Sequence, residues 1–348
     1  MVKRSKKTIN LALQGGGAHG AFTWGVLDRL LCEEDLVVAA ITGTSAGALN
    51  GAAFKSGMVE DGRDGARARL DWLWKEVGAQ PELNIPHWMT PFSLEQFSRA
   101  LEFSLPVMAS DALSRIVSPY DFGPFYTNPL QRIVEKFNFD AVCAVESAGP
   151  RLFVCATRVR TGKVRVFKDS EICTQSILAS ACLPTMFQAV EVTDPDTGIS
   201  EAYWDGGYTG NPALFPLFKD ALTDDVVIIN INPLERSQVP HTAQAIQNRI
   251  NEISFNSSLL RELRAIEFVQ RLLAQGKLEA GSMRRVLVHM IADDDLMNDL
   301  SVATKMLPTP FTLAKLKEAG QRAADAFLKK HWSDINERST VDLVDMFQ

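Results

Sequence analysis

Ser45 lies in Gly43-Thr44-Ser45-Ala46-Gly47, with a glycine two residues away on either side. That spacing fits a sharp strand-to-helix turn that lifts a hydroxyl clear of a sheet, where it can act as a nucleophile. The glycines leave room for a strained turn and for close helix–strand packing. The helix that follows points its free N–H groups at the reacting centre. Taken alone, the pattern is equally a serine capping a helix in a glycine-rich turn. A second stretch, Gln14-Gly15-Gly16-Gly17-Ala18-His19-Gly20, holds three consecutive glycines. Such a turn can cradle an anion with backbone N–H groups. In acyl transfer that anion is the oxyanion of a tetrahedral intermediate. A third stretch, Tyr203-Trp204-Asp205-Gly206-Gly207-Tyr208, sets an aspartate before two glycines. Alone it reads as a turn; beside a nucleophile and an anion cradle it becomes a general base for the serine proton.

Local elements place these groups. Ile9-Asn10-Leu11-Ala12-Leu13 reads as a strand ahead of the glycines, and Phe22, Val26, Leu27, Leu30 and Leu31 mark a helical face after them. Val37 to Ile41 reads as a buried strand leading to Ser45, and Ala46 to Phe54 as a small-residue helix. Gly15-x-Gly17-x-x-Gly20 also matches the dinucleotide fingerprint, which wants an acidic residue at the end of the second strand. Glu33, Glu34 and Asp35 come before that strand, and Thr42-Gly43-Thr44-Ser45 follows it, which favours the hydrolase. Leu152 to Thr157 reads as a strand with Val164 to Phe167 as its hairpin partner, Glu171 to Ala181 as a helix, and Val226 to Ile231 as a central strand. The alternation predicts a three-layer α/β/α sandwich with a mostly parallel central sheet, its site beyond the carboxyl ends of the strands. Helical stripes at Leu259, Leu263, Ile266, Val269 and Leu273, and at Phe311, Leu316, Ala319, Ala323 and Phe327, add C-terminal helices.

The three motifs, in this order, resemble those of the patatin-like phospholipase family: a glycine loop, Gly-x-Ser-x-Gly, then Asp-Gly-Gly. Ala179 to Phe187 and Asn211-Pro212 are similar to further blocks of that family. The resemblance spans about Leu11 to Leu217. It implies lipid acyl ester hydrolysis by a Ser45–Asp205 dyad through an acyl-enzyme, with the amides of Gly15, Gly16 and Gly17 as oxyanion hole. His19, Gly20, Gly43, Gly47, Gly206 and Gly207 then support the motifs. It implies a catalytic domain over 11–217, followed by further core strands and a helical extension over 218–348. One departure is His19, where the family carries a basic residue. Either it packs at the helix start, or it ties activity to pH near neutrality.

Five histidines leave room for another mechanism, since Ser45, Asp205 and then His241 or His289 satisfy the α/β-hydrolase order. His289 reads as a structural residue in a late strand, and His241 as part of a helix start. Two other classes remain open: a non-catalytic lipid- or nucleotide-binding protein, and a nucleotide-binding oxidoreductase. A net charge of −6 gives no footprint for nucleic acid. The basic start, Lys3 to Lys7, reads as a solvated tail that could also touch an anionic membrane surface. No run has the length of a membrane span, and five scattered cysteines read as reduced thiols of a cytoplasmic protein. No spacing suggests a metal site, and no cofactor is expected. Residues 80–128, rich in proline and aromatics, read either as an insertion packed on the core or as a cap lining an acyl pocket. The helical stripes could also pair two copies of the chain.

Overall fold

The computed structural model describes residues 5–79, 94–102, 118–137, 149–194, 198–219, 221–236, 239–279 and 281–347. The strands are β1 Lys7–Leu13, β2 Leu36–Thr44, β3 Arg151–Arg158, β4 Val164–Lys168, β5 Val190–Thr193, β6 Ser200–Asp205, β7 Asp225–Ile229 and β8 Leu287–Ile291. The helices used below are α1 Gly20–Leu30, α2 Ala46–Gly78, α3 Leu94–Glu102, α4 Thr174–Ser180, α5 Ala243–Ala274, α6 Val302–Met306 and α7 Pro310–His331. The strands form one sheet in the order β5-β6-β3-β2-β1-β7-β8, with β4 also paired to β3. β8, β7, β1, β2 and β3 run parallel; β4, β5 and β6 join antiparallel.

Period-two alternation divides the core. On β1, Ile9, Leu11 and Leu13 enter one hydrophobic cluster with Phe22 and Val26 of α1, Leu70 and Leu73 of α2, and Leu316 of α7. Ala12 faces the other way, into a cluster with Val226 and Ile228 of β7 and Leu259 and Leu263 of α5. Val227 and Ile229 join the first cluster, so β7 is buried on both faces, which accounts for its unbroken apolar run. The result is a mostly parallel sheet between two helical layers.

Three local expectations shift. The strand expected over Val226 to Ile231 ends at Ile229, because Gln14 Oε1 accepts the N–H groups of Ile231 (2.9 Å) and Asn232 (3.1 Å) and takes them off the ladder. The helix expected from Glu171 begins at Thr174, after a short 3₁₀ turn over Asp169–Glu171 in which Asp169 has φ 50. The long helix α2 breaks at Asp61 and Gly62 (φ 60), where its two arms fold back; a Cβ on Gly57 would lie 2.2 Å from the Gly65 carbonyl oxygen.

The C-terminal region belongs to the same body. Lys7 Nζ donates to the Ile335 carbonyl (2.6 Å), and Asn336 reaches Asp225 through its N–H (2.6 Å) and Nδ2 (2.8 Å). Part of the cap expected over 80–128 lies outside the described residues. Its described end docks on the core: the Gln188 and Ala189 amides donate to the Tyr126 and Tyr120 hydroxyls (3.3 and 3.0 Å).

Candidate active site

Ser45 stands between the end of β2 and the start of α2 with φ 55 and ψ −121. A non-glycine residue in that conformation costs on the order of 1–3 kcal/mol and persists only where its surroundings enforce it. They do so here. A Cβ on Gly47 would lie 2.2 Å from the Leu13 carbonyl oxygen, so α2 leaves the sheet too close to β1 for a side chain. A Cβ on Gly43 would lie 2.6 Å from the Gly47 carbonyl. The Ser45 N–H donates to Ser180 Oγ at the end of α4 (2.9 Å).

Asp205 arrives from the antiparallel side. Thr44 pairs with Cys155 of β3, and Ala156, the next residue of β3, pairs with Asp205. Thr44 and Asp205, far apart in the chain, therefore end on neighbouring rungs with one strand between them. Gly206 crosses that strand closely, since a Cβ there would lie 2.2 Å from the Cys155 carbonyl. The Ser45 hydroxyl lies close enough to the Asp205 carboxylate to oppose the rise in its pKa. Asp205 Oδ1 also accepts the Gly207 N–H (2.7 Å), and the Asp205 N–H donates to the Cys182 carbonyl (2.7 Å). The residue is 2% exposed. Burial raises its pKa to about 7, against the opposing Gly207 N–H and Ser45 hydroxyl.

The glycine loop lies beside Ser45: a Cβ on Gly15 would be 2.7 Å from Ser45 Cβ. Its three amides are not equivalent. The Gly15 N–H donates to Asn211 Oδ1 (2.7 Å), so it is committed to holding the loop rather than open to a ligand. The Gly16 and Gly17 amides have no acceptor among the described residues. Gly17 takes φ 59. Gly20, at the start of α1, would place a Cβ 2.6 Å from that of Ala46, so the loop helix and the elbow helix touch.

His19 is buried, and its Nε2 meets the Thr304 hydroxyl at 2.8 Å. Thr304 donates its own proton to the Ser301 carbonyl (2.7 Å), so His19 is the donor and carries its proton on Nε2. Burial, then the charges of Lys305 and Arg236, hold its pKa well below the usual imidazole value. The residue is neutral near pH 7. Desolvation and the nearby cations disfavour the charged imidazolium and weigh against His19 as a pH sensor near neutrality.

Neither late histidine bonds Ser45 or Asp205. His289 Nε2 bonds Asp225 Oδ1 (2.9 Å) and its Nδ1 meets Thr340 Oγ1 (3.2 Å), at the amino-terminal end of β7. His241 is exposed, ahead of α5. The dinucleotide reading also lacks its acidic residue, since β2 closes on Thr44 and Ser45. The four described cysteines, Cys32, Cys155, Cys173 and Cys182, are free. Among the described residues no group of three or more His, Cys, Asp or Glu could hold a metal, and no helix is long and apolar enough to cross a membrane.

Several residues that shape the site were not singled out from sequence. Ser180 and Asn211 lie inside blocks that carry the family resemblance, which is the one signal that pointed to them. Asn232 follows the end of β7, a carboxyl-end position where polar residues gather. Lys305, on a five-residue helix far along the chain, carries no local signal.

A family model described as patatin-like phospholipase matches residues 11–218. A search of the curated proteins finds no match. Among solved structures, the chain is similar to VipD from Legionella pneumophila at 14% identity and a TM-score of 0.40, covering 94% of this chain and 67% of that one. It is also similar to a chain of the SpcU–ExoU complex of the Pseudomonas aeruginosa type III secretion system. There the identity is 13%, the TM-score 0.32 and the coverage 93% of this chain and 53% of that one.

Proposed function

This chain belongs to the patatin-like phospholipase family, and on that premise we propose that it cleaves carboxylic esters of lipids through a Ser45–Asp205 dyad. The observation that carries the reading is a strained, partly exposed serine that the sheet register sets beside a buried carboxylate, whose burial raises its pKa to about 7. A base is most effective when its pKa lies near the working pH, where it is both ionised and basic enough to take a proton.

Asp205 takes the Ser45 proton as Oγ attacks the ester carbonyl. The Gly16 and Gly17 amides, with the α2 N-terminus, receive the negative charge that builds on the carbonyl oxygen. Collapse of the tetrahedral intermediate expels the alcohol, which takes the proton from Asp205 and leaves an acyl-serine. Asp205, ionised again, removes a proton from water as that water attacks the acyl-serine. The fatty acid leaves and Ser45 recovers its proton. In this scheme no histidine takes part, because the Asp205 carboxylate beside Ser45 serves as the base.

A fluorophosphonate probe tests this reading. Wild type is labelled at Ser45 and hydrolyses a soluble aryl ester; Ser45→Ala does neither. Wild type that resists the probe, or a Ser45→Ala variant that still hydrolyses the ester, refutes it.

A further inference from the structure

The glycine loop is held from behind by a polar relay whose donors, Lys305 and Asn232, lie outside the three motifs. Lys305 Nζ donates to Asn232 Oδ1 at 3.0 Å. Asn232 Nδ2 donates to the Gly15 carbonyl at 2.8 Å and to Gln14 Oε1 at 3.2 Å. The Gly15 carbonyl and the Gly16 N–H belong to one planar trans peptide and point in opposite directions. Whatever fixes the carbonyl therefore fixes the amide. A donor on the carbonyl also polarises the peptide and strengthens the N–H on its far side. The other side of Gly15 is tied to Asn211 Oδ1 at 2.7 Å, so the loop is clamped on both flanks.

Lys305 addresses the loop twice. Its backbone presses on it as well, since a Cβ on Gly17 would lie 2.3 Å from the Lys305 carbonyl oxygen. His19 is held in its neutral form, and a cation reaches this relay from α6 through Lys305. We propose that Lys305 is a positioning residue that acts through Asn232 to aim and polarise the Gly16 N–H toward the developing oxyanion.

This inference rests on the dyad reading above. It adds a second titrating group to the site. Burial lowers the pKa of Lys305 to about 8; Glu252 of α5 pulls it up and Arg236 pushes it down. Glu252 is itself held by Arg236 (2.6 and 2.8 Å) and Arg249 (3.3 Å). The neutral His19 faces the same spot from the loop, and α3 meets α6 through the uncharged pair Ser98 and Ser301 (3.1 Å). The ammonium keeps its proton at pH 7 and loses it as pH rises through about 8. The active form of the site then needs Asp205 ionised and Lys305 protonated, which gives kcat an alkaline fall that the dyad alone does not supply.

The test uses the full chain with p-nitrophenyl butyrate as substrate and compares wild type, Lys305→Met, Lys305→Arg and Ser45→Ala, with thermal melts to establish folding. Lys305→Met is expected to lower kcat by about tenfold to a hundredfold, less than outright loss of an oxyanion donor, with KM little changed. Wild-type kcat is expected to fall above about pH 8. Lys305→Arg, which stays charged, should keep kcat at neutral pH and lose that fall. A folded Lys305→Met variant with wild-type kcat overturns the inference. So does a wild-type kcat that stays level through the alkaline range, a result that stands even where Lys305→Met does not fold. Hydrolysis that survives in Ser45→Ala overturns the dyad reading instead, and the two failures are told apart by that control.

Discussion

Asp205→Asn separates the cost of a buried carboxylate from its use. Asp205 is 2% exposed, and burial raises its pKa from 3.8 to about 7 despite the Gly207 N–H and the Ser45 hydroxyl beside it. A carboxyl displaced that far corresponds to about 4 kcal/mol. The folded-state value lies above the unfolded one. From about pH 4 to pH 7 the unfolded chain has given up this proton while the folded chain keeps it, so stability falls as pH rises through that window. Asparagine cannot ionise, yet it retains Oδ1 to accept the Gly207 N–H at 2.7 Å. The variant should be more stable than wild type at about pH 8, by as much as about 4 kcal/mol, and match it near pH 4. It should not hydrolyse esters, because an amide cannot accept the serine proton. Urea unfolding at the two pH values, beside ester turnover, measures both effects. An asparagine variant less stable than wild type at the higher pH would refute the account of burial; one that turns over ester at the wild-type rate would refute the role of the base. Wild-type kcat/KM should meanwhile rise with pH through about 7, as the base ionises.

Ser180→Ala removes the acceptor for the Ser45 N–H and leaves a donor without a partner, at about 1–3 kcal/mol; fluorophosphonate labelling should slow, and an unchanged rate would show that Ser180 does not hold the elbow. His289→Gln breaks a buried pair with Asp225 far from the dyad, so the melting temperature should fall while folded protein keeps its kcat; loss of kcat in folded protein would revive a histidine mechanism. Gly25→Ala forces a Cβ to within 2.0 Å of the Lys317 carbonyl where α1 crosses α7, and backbone cannot yield as a side chain can. About 1–3 kcal/mol of stability should be lost in denaturant unfolding, and a near-neutral result would mean the two helices slide apart freely.

What the sequence determined by itself is local. Glycines at 43 and 47 around Ser45 specify a strained turn, because the conformation they permit depends on a handful of adjacent residues. The triple glycine after Leu13 and the run Val226 to Ile229 are legible for the same reason: backbone freedom and apolar periodicity act over one turn or one strand. Only the tertiary structure decided how those pieces work together. β6 joins β3 antiparallel and sets Asp205 one rung from Thr44, the residue before Ser45, an outcome of sheet order that no motif encodes. The fold spends the Gly15 amide on Asn211 and leaves Gly16 and Gly17 without an acceptor. It buries His19 beside Thr304, 285 residues away, and brings the cation of Lys305 to the loop from α6. Charge states follow burial and neighbours, and both are set by chain segments hundreds of residues apart, so the protonation of this site became readable only once those segments were packed.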